Sequence, residues 1–147
     1  ADFTLNFSSG FSYRKWFASF LLRGVFGNDV INGTSMVLQD ISRFPGENVL
    51  RSALKKAPQT LVYSSYYIED GSFLRLDNVQ LGYDFSFSES SMVRNLRLSL
   101  TANNLFVLTK YTGIDPEVGQ DGLVFGIDAR NYYPKTRSVS LGLNVTF

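Results

Sequence analysis

The chain has 147 residues, 44% of them hydrophobic and only 18% charged, with a net charge of +1 and neither cysteine nor histidine. That length suits one ordinary domain, and the near-neutral balance gives no electrostatic ground for a nucleic-acid partner. The missing residue types exclude disulfides and any metal site built on thiolate or imidazole, and this much apolar surface is incompatible with disorder.

No apolar run approaches the ~20 residues of a membrane helix. The longest candidate, WFASFLLRGVF, is interrupted by Arg23. The start, ADFTLNFSSG, lacks the basic and apolar regions of a secretory leader and reads as the middle of a strand. The expectation is therefore a piece of a longer protein.

Strand signals dominate in chain order. In the first segment Phe3, Leu5 and Phe7 alternate with polar residues, and Ser9-Gly10 predicts a turn. The second segment, about 13–26, puts Trp16, Ala18, Phe20, Leu22, Gly24 and Phe26 on one face, but its other face mixes Ser19 and Arg23 with Phe17, Leu21 and Val25. Residues 27–72 carry turn signals, with ENVLRSALKKAP as the one good helix candidate. Val49, Leu50, Ala53 and Leu54 would share a face there, and Pro58 would stop it.

The third strand segment contains LRLDNVQLGYDFSF. From Asn78 on, Val79, Leu81, Tyr83, Phe85 and Phe87 face one way, while Leu74 and Leu76 have the opposite parity. A bulge or a change of surroundings along one long strand explains such a slip. After the turn SESSMVRN, Leu96, Leu98, Leu100 and Ala102 oppose Arg97, Ser99, Thr101 and Asn103. A long loop at 112–135 follows. Residues 138–147 then alternate without error: Val139, Leu141, Leu143, Val145 and Phe147 against Ser138, Ser140, Gly142, Asn144 and Thr146.

Four features favour lipid over a packed core behind these apolar rows. The polar faces hold mostly Ser, Thr, Asn, Gln and Gly, where soluble sheets favour Lys and Glu. The segments match the ~9–11 residues of a tilted membrane strand better than the ~5–6 of a soluble one. Short and long connections alternate, as in outer-membrane barrels. Phe7, Trp16, Tyr83, Phe85, Phe87 and Phe147 are placed near the short-turn ends, as an aromatic girdle requires. The fold class expected is an all-β, antiparallel up-and-down transmembrane barrel segment of five strands with one short loop helix. Five strands cannot close a barrel, and open edges in lipid are forbidden, so more strands must complete it. The lipid-facing or girdle residues are Phe7, Trp16, Val79, Leu81, Tyr83, Phe85, Phe87, Leu96, Leu98, Leu100 and Val139. The alternatives are a soluble β-sandwich binding carbohydrate and, as an enzyme, an outer-membrane barrel hydrolase.

Three stretches carry a family resemblance: SSYYIEDGSFLRLDNVQLGYDF (64–85), LRLSLTANNLFVLTKYTGIDPEV (96–118) and YPKTRSVSLGLNVTF (133–147). Together they resemble the end of SusC/RagA-type TonB-linked outer-membrane proteins. The departure is Asp77, where such proteins often carry a basic or neutral residue. The resemblance implies that residues 1–147 are the C-terminal part of a 22-stranded barrel whose plug and signal peptide lie outside this chain. It implies uptake of large nutrients, glycans or peptides, across the outer membrane of a Bacteroidota-type Gram-negative bacterium. The implied partners are membrane lipid, the rest of the barrel and plug, a SusD-like surface lipoprotein, and the TonB complex through the N-terminal part. Leu141, Leu143, Val145 and Phe147 also resemble the C-terminal signal read by barrel-assembly machinery.

Site chemistry is sparse. No catalytic, cofactor-binding or metal-ligating set is expected, so the chain reads as no enzyme and needs no cofactor. Asp115, Glu117, Asp121 and Asp128 gather in one loop, where calcium is chemically conceivable, but their spacing fails the EF-hand pattern. Tyr63, Tyr66, Tyr67, Tyr132 and Tyr133 are candidates for stacking on a ligand.

Overall fold

The structure, a computed structural model, describes residues 1–56, 64–88, 92–118, 126–129 and 133–147. Its strands are β1 (Phe3–Tyr13), β2 (Trp16–Phe26), β3 (Asp29–Ile31), β4 (Ile68–Asp70), β5 (Phe73–Ser86), β6 (Asn95–Thr109) and β7 (Ser138–Thr146). Two compact units emerge. A sheet unit takes residues 4–25, 74–108 and 135–147, and a loop unit takes 1–3, 26–73 and 109–134.

The five long strands form one sheet in the order β1-β2-β5-β6-β7. Each long strand lies beside the next one in the chain, the up-and-down arrangement expected from the alternating pattern. β6 and β7 pair antiparallel from Asn95↔Thr146 to Asn103↔Ser138. At the β5–β6 turn, Phe87 N donates to Arg94 O (3.1 Å), and at the far end Thr109 Oγ1 donates to Ser72 O (2.8 Å). Asp84 N donates to Lys15 O (2.8 Å), setting the start of β2 against the end of β5.

A soluble sheet needs a second layer to receive its apolar face. Among the described residues the sheet unit holds a single sheet. Among the described residues every buried apolar side chain (Val30, Met36, Ala53, Tyr67, Phe73, Tyr111 and Val118) lies in the loop unit. Along β7, by contrast, Val139 is 66% exposed, Leu141 73%, Leu143 65% and the adjoining Phe147 73%. Among the described residues that row has neighbours within its own sheet but no second layer over it, and a second layer is what the sandwich alternative requires.

Three details correct the expectations. The first turn lies at Arg14–Lys15, not at Ser9-Gly10, because Phe11 and Tyr13 continue the parity of Phe3, Leu5 and Phe7 straight through Gly10. Arg14 makes the turn with φ at 55°. Phe7 therefore sits in the middle of β1 rather than at its turn end, and Phe11 and Tyr13 flank the turn instead. The helix expected at 47–58 shrinks to α2 (Ala53–Lys56), and Pro58 lies outside the described residues. A longer helix, α1 (Gly33–Leu38), stands where none was expected.

The loop unit has its own architecture. β3 and β4 pair antiparallel, Ile31 bridges Ile127 in parallel, and Ile31 N donates to Gly126 O (2.7 Å). Asn32 caps α1 by accepting from Ser35 N at 2.8 Å, satisfying one of the amides a helix start leaves open. Among the described residues no helix is long and apolar enough to cross a membrane.

Candidate functional site

The sheet has two chemically distinct faces. On the polar face, Arg97 donates to both carboxylate oxygens of Asp84 (2.6 and 2.8 Å). This is the two-pronged geometry a planar guanidinium favours. The same guanidinium lies 4.9 Å over the ring of Phe17, and that ring covers Gly82. Phe17 thus looks apolar in the sequence but serves the polar face, packed between a glycine and a cation. Arg23 pairs with Asp77 at 2.7 Å. Asn78 donates to Asn103 (2.8 Å), and Asn103 donates to Ser138 Oγ (3.1 Å).

These bonds locate the parity slip of β5. Asp77 and Asn78 are consecutive, yet both reach polar-face partners, so Leu76 and Val79 share the opposite face. The slip restores a single apolar row along the strand. β6 has a matching irregularity at Asn104, whose φ is 52°. Asparagine tolerates this left-handed conformation better than other side-chained residues. Its carboxamide accepts from Arg75 Nη1 and donates to Lys135 O at 2.7 Å. Arg75, 1% exposed, is thereby held by an asparagine that belongs to the family-like stretch 96–118 but to which the sequence assigned no role.

On the apolar face, rings cluster near the short turns. Trp16 meets Tyr83 edge-on at 4.8 Å, and Tyr83 meets Phe85 at 4.6 Å. Phe20 contacts Phe7 (5.7 Å) and Phe11 (6.3 Å). Leu81, Leu98, Leu100 and Leu141 line a groove beside the Trp16–Tyr83–Phe85 cluster. Leu96 pairs with Val145, and Leu98 with Leu143, across β6 and β7. Val79 is half-buried, whereas Phe87 just beyond β5 is exposed.

The loop unit centres on buried polar groups. Asp128 accepts from the Tyr111 hydroxyl and from Thr34 Oγ1 (2.9 Å). Glu69 accepts from Asn32 Nδ2 (2.9 Å), Thr112 N (2.8 Å) and Thr112 Oγ1 (2.8 Å). Burial, reinforced by the bond to Asp128, pushes the Tyr111 phenol well above its ordinary range, so it stays neutral. Each carboxylate meets donors suited to holding loops together. Among the described residues no three acidic side chains converge to hold a metal ion. Asp115 is buried and caps Glu117 N (3.0 Å), Asp128 is occupied as above, and Asp121 lies outside the described residues.

The candidate stacking tyrosines separate. Tyr67 is 4% exposed, set edge-on against Tyr66 at 5.0 Å, and so offers no free ring face. Tyr66 (57%) and Tyr133 (77%) are open. Tyr63 and Tyr132 lie outside the described residues.

No family model matches the chain. It is 31% identical over its whole length to the TonB-dependent receptor P39 of Formosa agariphila. Over 99% of its length it is 31% identical to the TonB-dependent receptor SusC of Bacteroides thetaiotaomicron. The chain spans only 16% and 15% of those two relatives. A solved chain of the RagAB peptide transporter superposes on 97% of it with a TM-score of 0.79 and 25% identity, over 17% of that chain. The RagAB peptide importer in its open-open state shares the fold, with a TM-score of 0.73 and 24% identity over 98% of this chain and 17% of its own.

Proposed function

We propose, from the premise that this chain is a segment of a SusC/RagA-type TonB-dependent receptor, that residues 1–147 form the last five strands of a 22-stranded outer-membrane barrel. The observation that carries this reading is the exposed, unbroken apolar row of β7 on a single-layered sheet whose opposite face is polar and internally paired. In such a barrel the first face meets hydrocarbon and the second lines a lumen. The segment performs no reaction; it supplies wall, loops and a C-terminal assembly signal.

The complete protein would import large nutrients through the outer membrane of a Bacteroidota-type bacterium, driven by the TonB complex, with a SusD-like lipoprotein at its outer mouth. Peptides are one candidate cargo, since a structural relative is a peptide transporter; glycans are the other. The loops at 27–72 and 112–135 would face outward, and Tyr66 and Tyr133 are the open rings among their described residues that a ligand would meet.

The test uses the full-length protein. It should fractionate with the outer membrane and migrate differently on gels before and after boiling. Uptake of labelled peptides or oligosaccharides should fall to background when the TonB complex is disrupted. Residues 1–147 expressed alone as a soluble, detergent-free monomer would refute the barrel, and undiminished uptake without TonB would refute the transport mechanism.

A further inference from the structure

We infer that the apolar groove beside the Arg14–Lys15 turn is a binding site for an anionic glycerophospholipid. The inference rests on the lipid-facing reading above and adds to it a particular occupant. The groove has a volume of about 600 Å³ and is lined by Trp16, Tyr83, Phe85, Leu98, Leu100 and Leu141. That volume lies in the usual range of small-ligand sites.

Its chemistry changes along its length. The leucines offer only hydrocarbon. The ring cluster of Trp16, Tyr83 and Phe85 combines apolar faces with an indole N–H and a phenol, the mixture found where acyl chains give way to headgroups. The Arg14–Lys15 turn is level with this cluster, because Lys15 O accepts from Asp84 N, between Tyr83 and Phe85. Both cations are exposed. The Arg14 guanidinium stands 5.3 Å over the Tyr13 ring. On the opposite face Arg23 and Arg97 are committed to Asp77 and Asp84. Among the described residues Arg14 and Lys15 have no such carboxylate. Two exposed cations without a carboxylate partner among the described residues, on the turn that leads into Trp16 at the aromatic end of the groove, complement one molecule with an anionic head and a hydrocarbon tail.

The test adds palmitoyl-oleoyl-phosphatidylglycerol, or the phosphatidylcholine with the same chains, to the folded full-length protein in detergent. Retained lipid is counted by native mass spectrometry, and boiling-dependent gel mobility reports folding. Two basic residues at a membrane surface should favour phosphatidylglycerol by about thirty-fold. Arg14→Gln with Lys15→Gln should abolish the preference and leave phosphatidylcholine retention unchanged. Leu100→Trp, which fills the groove, should lower retention of both lipids. Equal retention of both lipids by the folded wild type overturns the inference and leaves the barrel reading intact, as does a preference that survives the double substitution. A full-length protein that shows no folded barrel at all removes both.

Discussion

At Gly82 the Phe17 ring occupies the place where a side chain would start. The phenyl covers the bare backbone and carries the Arg97 guanidinium above it. Gly82→Ala must displace the ring, and overpacking of this kind costs about 1–3 kcal/mol. In Phe17→Ala the same change should cost much less. A double-mutant cycle on urea unfolding of the full-length barrel from vesicles checks this, and additive effects would refute the packing. Tyr111 gives a second test. Its folded pKa is raised by burial and by Asp128, so its contribution is fully present below the ordinary phenol range and is lost as pH rises through that range toward the folded pKa. The loop unit should become more open to protease above about pH 10. Tyr111→Phe should remove the part of this dependence due to Tyr111 and cost about 1–3 kcal/mol by leaving Asp128 a donor short. Neither residue's role was legible in the sequence: Phe17 needed its cross-strand neighbours, and Tyr111 meets a carboxylate 17 positions away.

Among elements, legibility followed the length of the repeating pattern. β7 was readable because ten alternating positions allow only one register. β1 was readable in type but not in extent, because its turn uses Arg14 in a conformation usually left to glycine or asparagine. The β3–β4 pair was invisible: each strand has three residues, and their partners are nearly forty positions apart. α1 was missed because its first residue is Gly33, a poor helix former, and because its cap Asn32 is fixed by tertiary contacts to Tyr67 and Glu69. Asn32→Ala removes both the cap and one donor to Glu69. The cap alone is worth about 1 kcal/mol. The expected result is faster proteolysis in α1 with barrel mobility on gels unchanged, and an unchanged cleavage rate would show that the cap carries no weight.

For the whole molecule, the distribution of burial decides the reading. Among the described residues the fully buried apolar side chains lie in the loop unit, while those of the sheet unit are half-buried or exposed. β1 and β7 are the sheet's edges, and unpaired edges in hydrocarbon are too costly to persist. The sheet therefore requires further strands on both sides, consistent with relatives about seven times its length. Under the assembly-signal proposal, insertion should depend on Leu141, Leu143, Val145 and Phe147. Deleting Phe147 from the full-length protein should reduce its amount in the outer-membrane fraction several-fold, and unchanged abundance would remove that residue's role as a signal. The lipid-facing row itself is tested most directly by spin labels placed one at a time at positions 138–146 of the full-length protein, cleared of other cysteines and inserted into phospholipid vesicles. Access to dissolved oxygen should peak at 139, 141, 143 and 145, and access to a water-soluble nickel chelate at 138, 140, 142, 144 and 146. Odd positions shielded from both reagents, as in a protein core, or open to nickel, as on a soluble surface, would contradict it.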